Sequence, residues 1–132
     1  MRHLDEYKTA LRTIRDMEAV PMRRQSAPLV PSAQGVYAIS DFSLEGAPVV
    51  YVGRTKTGDL RSRLTSYHLS GALASARLKA GLVRCGICVD NSAARVYVEE
   101  NCRARFVEVS DDSIRRFVEH FLIAYFAPAL NA

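Results

Sequence analysis

The sequence has no long apolar run and no apolar segment following Met1. A membrane-spanning helix needs about eighteen consecutive apolar residues and a secretory signal needs an apolar stretch near the start, so we expect neither. Internal repeats and low-complexity segments are also absent. The 132 residues suffice for one domain and are few for two, and 48% apolar with 24% charged residues is typical of a globular protein. These features predict a cytoplasmic protein with no membrane partner.

Cysteine is scarce, with only Cys85, Cys88 and Cys102 in the chain. The first two have the CxxC spacing of zinc sites, but no second CxxC and no paired histidines follow. The surrounding apolar run, Leu82–Val89, predicts a strand, and residues three apart in a strand point to opposite faces. We therefore expect buried, reduced thiols rather than a zinc site.

Negative charge is nearly missing from one segment of the chain. The net charge of the chain is +4. The segment from Arg54 to Arg84 contains seven basic residues and one acidic residue, Asp59, so it carries +6 and the remainder carries −2. A concentrated basic segment is typical of a surface that binds a polyanion, because each neutralised phosphate releases counterions. A solvated, arginine-rich surface is the alternative.

The N-terminal quarter of the chain differs in pattern from the rest. Apolar residues three and four apart predict a helix from Leu4 to Ala19. The prolines that follow predict a linker or extended arm over residues 21–34. We therefore divide the chain into an N-terminal helix with its arm, residues 1–34, and a domain, residues 35–132.

The domain is predicted to mix short strands with helices. Strands are expected at Gly35–Ser40, Val49–Gly53, Leu82–Val89 and Arg103–Val109, and helices at Asp59–Leu69, Ala72–Ala80, Ser92–Asn101 and Asp112–Phe126. Asp59 and Ser92 are the expected N-caps of their helices, and the last helix begins in the cluster Ser110–Ser113 and ends before Pro128. Its predicted buried residues are Ile114, Phe117, Val118, Phe121, Leu122 and Tyr125, and those of the preceding helix are Ala93, Val96 and Tyr97. This order predicts an α+β fold, with helices around a small antiparallel sheet of about three strands.

Two short tyrosine motifs stand near the start of the domain, Gly35-Val36-Tyr37 and Tyr51-Val52-Gly53. Arg63 follows them, Tyr67 lies four residues later, and Glu119 and Asn131 come near the end of the chain. This order and spacing resemble the GIY-YIG nuclease family over residues 34–132. The resemblance implies the same α+β core and a metal-dependent endonuclease.

The resemblance assigns the metal ligand to Glu119, which the helix pattern places beside Val118 and Phe121 on the inner face of the last helix. Mg²⁺ prefers oxygen ligands and binds through one or two carboxylates while keeping several waters. One glutamate is therefore enough for a Mg²⁺ or Mn²⁺ site. An ordinary surface glutamate is the alternative.

Arg63 is the expected phosphate clamp, because a guanidinium is always charged and its fork holds two oxygens. On a helix Arg63 shares a face with Tyr67, four residues on. Arg61 lies about 200° around the helix and cannot enter the same site. The resemblance places the arginine of the site four residues before a tyrosine or histidine, which assigns Arg63 and Tyr67 to the site and leaves Arg61 as an outer backbone contact.

Tyr37 is the residue that the resemblance favours for orienting or deprotonating the attacking water, with Tyr51 nearby across the hairpin. The pKa of a tyrosine is near 10 in water, and cationic neighbours are expected to lower the pKa. The alternative is two aromatic side chains that pack in a hairpin. Tyr37, Tyr51, Arg63, Tyr67 and Glu119 are thus the predicted catalytic residues.

The remaining predicted residues support the site or contact nucleic acid. Gly35 and Gly53 are expected to permit close approach of the backbone, and Asn131 to position the C-terminal tail or support the metal site. The predicted nucleic-acid contacts are Arg54, Lys56, Arg61, His68, Arg77, Lys79 and Arg84. His120, beside Glu119, is a further candidate for a substrate contact.

These residues predict an endonuclease that hydrolyses DNA with one active site per chain. One site cuts one strand, so double-strand cleavage requires a homodimer or two visits. Within the family, we favour a restriction or mobile-element nuclease over a structure-specific repair or recombination nuclease. A non-catalytic nucleic-acid-binding module with the same fold is the alternative from another class. The start at Met1 and the end one residue after Asn131 lead us to expect a complete chain rather than a fragment.

Overall fold

The computed structural model describes residues 4–67 and 76–131. The helices are α1 (Leu4–Asp16), α2 (Leu60–Ser62), α3 (Ala76–Arg84), α4 (Asn91–Asn101) and α5 (Asp112–Phe126). The strands are β1 (Val20–Pro21), β2 (Gly35–Asp41), β3 (Val49–Arg54) and β4 (Cys102–Glu108). Short 3-10 helices cover Arg24–Leu29 and Ala129–Asn131, and a π-helical turn, Arg63–Tyr67, continues α2. None of these helices is long and apolar enough to cross a bilayer.

The described strands form one antiparallel sheet in the order β1-β4-β2-β3. The α+β class and the β2–β3 hairpin are confirmed, but the sheet has four strands rather than about three. The additional strand is β1, where Val20 and Pro21 pair with β4 inside the segment predicted as the end of a helix and a linker. Proline lacks an N–H, so it is tolerated at the edge of a sheet, where that donor is not needed.

The two faces of the sheet carry separate apolar cores. Side chains alternate along β2, so Val36 and Ala38 pack on one face while Tyr37 and Ile39 pack on the other. The first face is covered by α1 and α5, and the second by α2, α3 and α4. The second core contains the tyrosine side chains of the predicted site.

The N-terminal helix is confirmed, although it ends at Asp16 rather than at Ala19, and it packs onto the domain. Ala10 and Ile14 of α1 are buried in the same core as Val118 and Leu122 of α5. The α1 side chain Tyr7 stacks on Phe121 at 5.4 Å between ring centroids. Residues 4–21 therefore contribute to the core of the fold through both α1 and β1.

The predicted strand Leu82–Val89 is wrong, because α3 continues through Gly81 to Arg84. Leu78 and Leu82 are buried one turn apart on this helix. A short apolar run has no clear periodicity, so its pattern does not separate a strand from a buried helix. A side chain at Gly81 would begin 3.3 Å from Leu130, so the glycine allows the C-terminal tail to pack closely against the helix.

The cysteines are reduced, as expected, but only in part buried. Cys88 and Cys102 are buried, whereas Cys85 is exposed beyond the end of α3. Across residues 4–67 and 76–131, no three His, Cys, Asp or Glu side chains form a group able to hold a metal ion.

Several predictions of helix ends and faces need correction. Asp90 caps α4 through its hydrogen bond with the Ala93 N–H, in place of the predicted Ser92. Ala94 and Val98 are the buried residues of α4, and Val96 is 53% exposed. The predicted bounds and N-terminal cluster of α5 are confirmed, with Asp111 as the cap. On that helix Phe117 and Tyr125 are exposed.

The largest buried side chain of α5 is that of Arg115, which is 2% exposed. Its Nε donates to the Thr55 carbonyl at 2.8 Å, and its Nη1 donates to the carbonyls of Val109 at 2.9 Å and Ser110 at 3.2 Å. Its Nη2 pairs with Asp112. Arg115 therefore ties the segments that leave β3 and β4 to the first turns of α5.

Candidate active site

A cleft of about 360 Å³ opens where β2 and β3 meet α2, α3 and α5. It is lined by Tyr37, Tyr51, Gly53, Arg54, Lys56, Thr57, Arg63, Arg77 and Glu119. Residues far apart in the sequence thus converge on one site, including Tyr37, Tyr51, Arg63 and Glu119 from the predicted catalytic set. The side chain of Tyr67 and the whole of His68 lie outside the described residues.

The sheet places the two tyrosines beside each other. Tyr37 is on the central strand β2, and its ring centroid lies 6.4 Å from that of Tyr51 on β3. Gly53 pairs with Tyr37 in the sheet, and a side chain at Gly53 would begin 2.5 Å from the Tyr37 hydroxyl. The glycine therefore leaves the space that the Tyr37 phenol fills. Gly35 has a similar constraint, since a side chain there would begin 2.1 Å from the Val107 carbonyl oxygen.

The start of α2 fixes the position of Arg63. The Asp59 side chain accepts a hydrogen bond from the Ser62 N–H at 2.8 Å, as the predicted N-cap requires. Arg63 is 9% exposed and hydrogen bonds to Tyr37. Arg61 instead donates from Nε to the Val30 carbonyl at 2.8 Å. The two arginines therefore point to different surroundings, as the helix geometry predicted.

Glu119 lies on the side of α5 that faces the cleft, as expected. Its carboxylate forms an ion pair with Arg54, and the two side chains are 13% and 20% exposed. Arg54 was predicted only as a nucleic-acid contact, so its place beside Glu119 was missed. The two residues are 65 positions apart, and no local sequence pattern indicates that they meet.

The expectation that cationic neighbours lower the pKa of the tyrosines is wrong, because burial raises it. Loss of hydration raises the pKa of Tyr37 far above its usual value and the nearby Tyr51 raises it further, while Arg63 lowers it. Burial also raises the pKa of Tyr51, and Arg77 lowers it in part. The cationic neighbours therefore do not outweigh desolvation of the phenolate. Both phenols are neutral at pH 7 and act as hydrogen-bonding groups.

Asn131 fastens the C-terminal tail to the site. Its amide oxygen accepts from the Val52 N–H at 2.8 Å, and its amide nitrogen donates to the Val52 carbonyl at 2.8 Å. The side chain thus pairs with the outer edge of β3 between Tyr51 and Gly53. Of the two roles expected for Asn131, positioning the tail is the one that these hydrogen bonds serve.

The predicted nucleic-acid contacts do not share one surface. Lys56 and Arg77 are exposed and line the cleft, and Arg84 lines an adjacent cavity with Tyr51 and Arg77. Lys79 is 1% exposed, so its prediction as a nucleic-acid contact is wrong. Burial also lowers the pKa of Lys79. Positions two apart on a helix, such as Arg77 and Lys79, point in directions about 200° apart. Lys79 is therefore turned inward, whereas Arg77 is exposed.

The cleft has donors that fit a hard divalent cation. Glu119 is the carboxylate among the lining residues, and Tyr37 and Tyr51, each with a hydroxyl oxygen, line the same cleft. A cation that keeps most of its waters needs no more than one or two carboxylates. Arg54 pairs with the same carboxylate, so a cation there competes with the arginine or shares Glu119 with it.

Comparisons with known proteins give few matches. No family model matches the sequence, and no curated protein matches it. Two solved structures are similar to this chain, at 22% and 21% sequence identity and a TM-score of 0.48 each. Each alignment covers 83% of this chain and 93% of the other. Both are tyrosine-to-phenylalanine mutants of the GIY-YIG N-terminal endonuclease domain of UvrC from Thermotoga maritima, bound to its catalytic divalent cation.

Proposed function

We propose that this chain is a divalent-metal-dependent endonuclease that hydrolyses phosphodiester bonds in DNA. The observation that carries the proposal is the convergence of Tyr37, Arg63 and Glu119 on one cleft with basic side chains at its opening. Such a cleft meets the main demands of hydrolysis, which are a positioned water, neutralised phosphoryl oxygens and a stabilised leaving oxygen.

Arg63 serves as the phosphate clamp. Its guanidinium lies within the cleft wall and is mostly shielded from water, where a charge interacts more strongly than it does at the surface. Its hydrogen bond with Tyr37 holds the fork and the phenol in one arrangement. Arg63 thus binds the phosphoryl oxygens and fixes them relative to the attacking water.

Tyr37 orients the water rather than deprotonating it. The buried phenol is neutral at pH 7, because burial raises its pKa, and a neutral hydroxyl both donates and accepts hydrogen bonds. Tyr51 lies beside it and completes this wall of the cleft. Tyr67, four residues after Arg63, is proposed to support the same site.

Glu119 would hold Mg²⁺ or Mn²⁺, which when bound stabilises negative charge on the phosphoryl and leaving oxygens. The ion pair with Arg54 makes binding at Glu119 depend on what else occupies the cleft. A DNA phosphate gives Arg54 a second anionic partner, so substrate entry weakens the hold of Arg54 on the carboxylate. Arg54 therefore belongs to the phosphate-binding wall.

Exposed bases extend the binding surface beyond the reacting phosphate. Lys56, Arg77 and Arg84 lie at or beside the cleft and are proposed as backbone contacts, with Arg61 and His68 as outer contacts. One cleft cuts one strand, so double-strand cleavage requires a homodimer or two visits. We propose a restriction or mobile-element nuclease in preference to a repair or recombination nuclease, acting in the cytoplasm.

Replacing Tyr37 with phenylalanine is expected to remove most cleavage without unfolding the protein. The ring still fills its buried position, but the hydroxyl that orients the water is lost, and such a loss reduces turnover by about 10² to 10³-fold. The measurement is cleavage of a labelled DNA duplex in Mg²⁺ and in Mn²⁺. Tyr125→Phe is the matched control, because Tyr125 is 50% exposed on the other side of α5. Near-normal turnover by Tyr37→Phe would exclude Tyr37 from the chemistry.

A nucleic-acid-binding module without cleavage is the second candidate. The Arg54–Glu119 ion pair favours it, since a carboxylate that already has a cationic partner needs no metal ion. The two candidates predict different results for Glu119→Gln. A binder keeps or gains DNA affinity when the negative charge is removed, and shows no cleavage before or after the change.

A further inference from the structure

A second cleft lies directly beside the candidate active site. It has a volume of about 350 Å³ and is lined by Arg54, Lys56, Asp112, Ser113, Arg115 and Arg116. Arg54 and Lys56 line both clefts, so the two adjoin beside the first two turns of α5 and are together called the groove. The chemistry proposed for Tyr37, Arg63 and Glu119 does not use this second cleft.

The second cleft has an excess of positive charge. Four bases and one acid line it, which gives a net charge of +3. Two of the bases are already paired, Arg54 with Glu119 and Arg115 with Asp112. Lys56 and Arg116 are exposed and form no ion pair with a carboxylate of residues 4–67 or 76–131. These two cations are therefore available to an anion in the groove.

The backbone segments on both sides of this cleft are tied together by hydrogen bonds from Arg115. Buried Arg115 binds the Thr55 carbonyl and the carbonyls of Val109 and Ser110, so the segment that carries Lys56 is tied to the start of α5. The Arg116 guanidinium lies 5.3 Å from the centroid of the Phe117 ring. Preorganised side chains lose less entropy when they bind a ligand. The cleft is thus better suited to a defined contact than a scatter of surface charges.

The two clefts lie side by side along α5. Arg116 precedes Glu119 by three residues, which corresponds to a rise of about 4.5 Å along the helix axis. The axis of duplex DNA advances about 3.4 Å per nucleotide. An offset of this size corresponds to about one or two nucleotides. The positive end of the α5 dipole lies at the same cleft and adds to its attraction for an anion.

We propose that Lys56 and Arg116 together bind one phosphate of the DNA backbone, one or two nucleotides from the phosphate held at Arg63. The proposal rests on the proposed function, because it requires a DNA strand in the first cleft. The second cleft sets the register of that strand and contributes to affinity, while the bond is broken in the first.

The test is the salt dependence of DNA binding, measured in EDTA so that cleavage does not contribute. A labelled duplex is titrated with wild type, Lys56→Ala, Arg116→Ala and the double variant. Arg103→Ala is the matched control, because this exposed arginine lies at the other end of β4, about 20 Å along the strand from Val109. All five proteins are compared by thermal unfolding, and both substituted positions are exposed.

Each phosphate neutralised contributes about 0.9 to the slope of log affinity against log salt. If Lys56 and Arg116 share one phosphate, each single variant should bind DNA more weakly than wild type. The double variant should then lose about one unit from the slope of log affinity against log salt. Two independent surface charges predict a loss of about two units instead. A loss of about two, or a slope equal to that of Arg103→Ala, would overturn the proposal.

Cleavage by the wild type is assayed separately in Mg²⁺. If the slope changes as expected and no cleavage occurs, the subsite stands and the nuclease proposal fails. If cleavage occurs and the slopes do not change, the proposal for Lys56 and Arg116 is wrong and the nuclease proposal stands. A wild type that does not bind the duplex contradicts both.

Discussion

Glu119→Gln is expected to lower DNA cleavage by about 10³-fold or more while leaving the fold intact. The substitution keeps the size of the side chain and removes the negative charge that holds a divalent cation. A bound cation supplies several kcal/mol of transition-state stabilisation, and about 1.4 kcal/mol corresponds to a tenfold change in rate. The fold is expected to stay intact, because the amide oxygen of glutamine still accepts a hydrogen bond from Arg54.

The matched control for this prediction is Glu99→Gln. Glu99 also pairs with an arginine, Arg95, one turn away on the exposed face of α4. Both substitutions break one arginine–glutamate pair, but only the one at Glu119 removes a carboxylate from the cleft. Cleavage should be normal for Glu99→Gln at every Mg²⁺ concentration. If Glu119→Gln cleaves as well as this control, Glu119 is not a metal ligand in the reaction.

Arg115→Ala is expected to lower the free energy of unfolding by about 3 to 5 kcal/mol. The change leaves the buried Thr55 carbonyl and the partly buried Val109 carbonyl without the Arg115 donors and opens a cavity below α5. Each buried polar group left without a partner costs about 1 to 3 kcal/mol, and the cavity adds to that cost. For a domain of this size, the melting temperature should fall by about 10 °C or more.

Chemical denaturation of Arg115→Ala, Arg115→Lys and Arg116→Ala checks this prediction. Lysine keeps the charge but lacks the fork that reaches several carbonyls, so Arg115→Lys should fall between wild type and Arg115→Ala. Arg116 is the adjacent exposed arginine, and its loss should change stability by about 0.5 kcal/mol or less. An Arg115→Ala protein within about 1 kcal/mol of wild type would mean that the joint between β3 and α5 is held by other contacts.

Local signals in the sequence predicted much of the fold. The hairpin of β2 and β3 follows from alternation and a short loop, and α5 follows from its helix-start cluster and its apolar period. Asp59 and Asp111 each cap the helix they were expected to start. These features depend on residues that are close together in the sequence, so they can be predicted without knowledge of tertiary contacts.

The predictions that failed depend on contacts between distant residues. Arg115 is charged and was not expected in the core, because only the carbonyls at the ends of two strands make its burial favourable. The strand β1 exists because two residues pair with β4, a pairing that no propensity reveals. The Arg54–Glu119 ion pair likewise joins two residues that are 65 positions apart in the sequence. In each case tertiary structure overrides the local pattern.

The candidate site was predicted from the order and spacing of its motif residues, which resemble those of the GIY-YIG family. Tyr37, Arg63 and Glu119 converge as the motif order implied. Their electrostatic state was not predicted, since burial raises the pKa of Tyr37 instead of its neighbours lowering it. The degree of burial depends on packing from both the sheet and α2, which the sequence does not show directly.

The most direct test of the account is the fate of supercoiled plasmid incubated with the wild-type protein. Aliquots in Mg²⁺, in Mn²⁺ and in EDTA are split between a cleavage gel and a retardation gel. The account predicts that supercoiled DNA becomes open circular or linear with either cation and stays intact in EDTA. Plasmid that is retarded yet remains supercoiled under all three conditions would contradict a nuclease and identify the chain as a binding module.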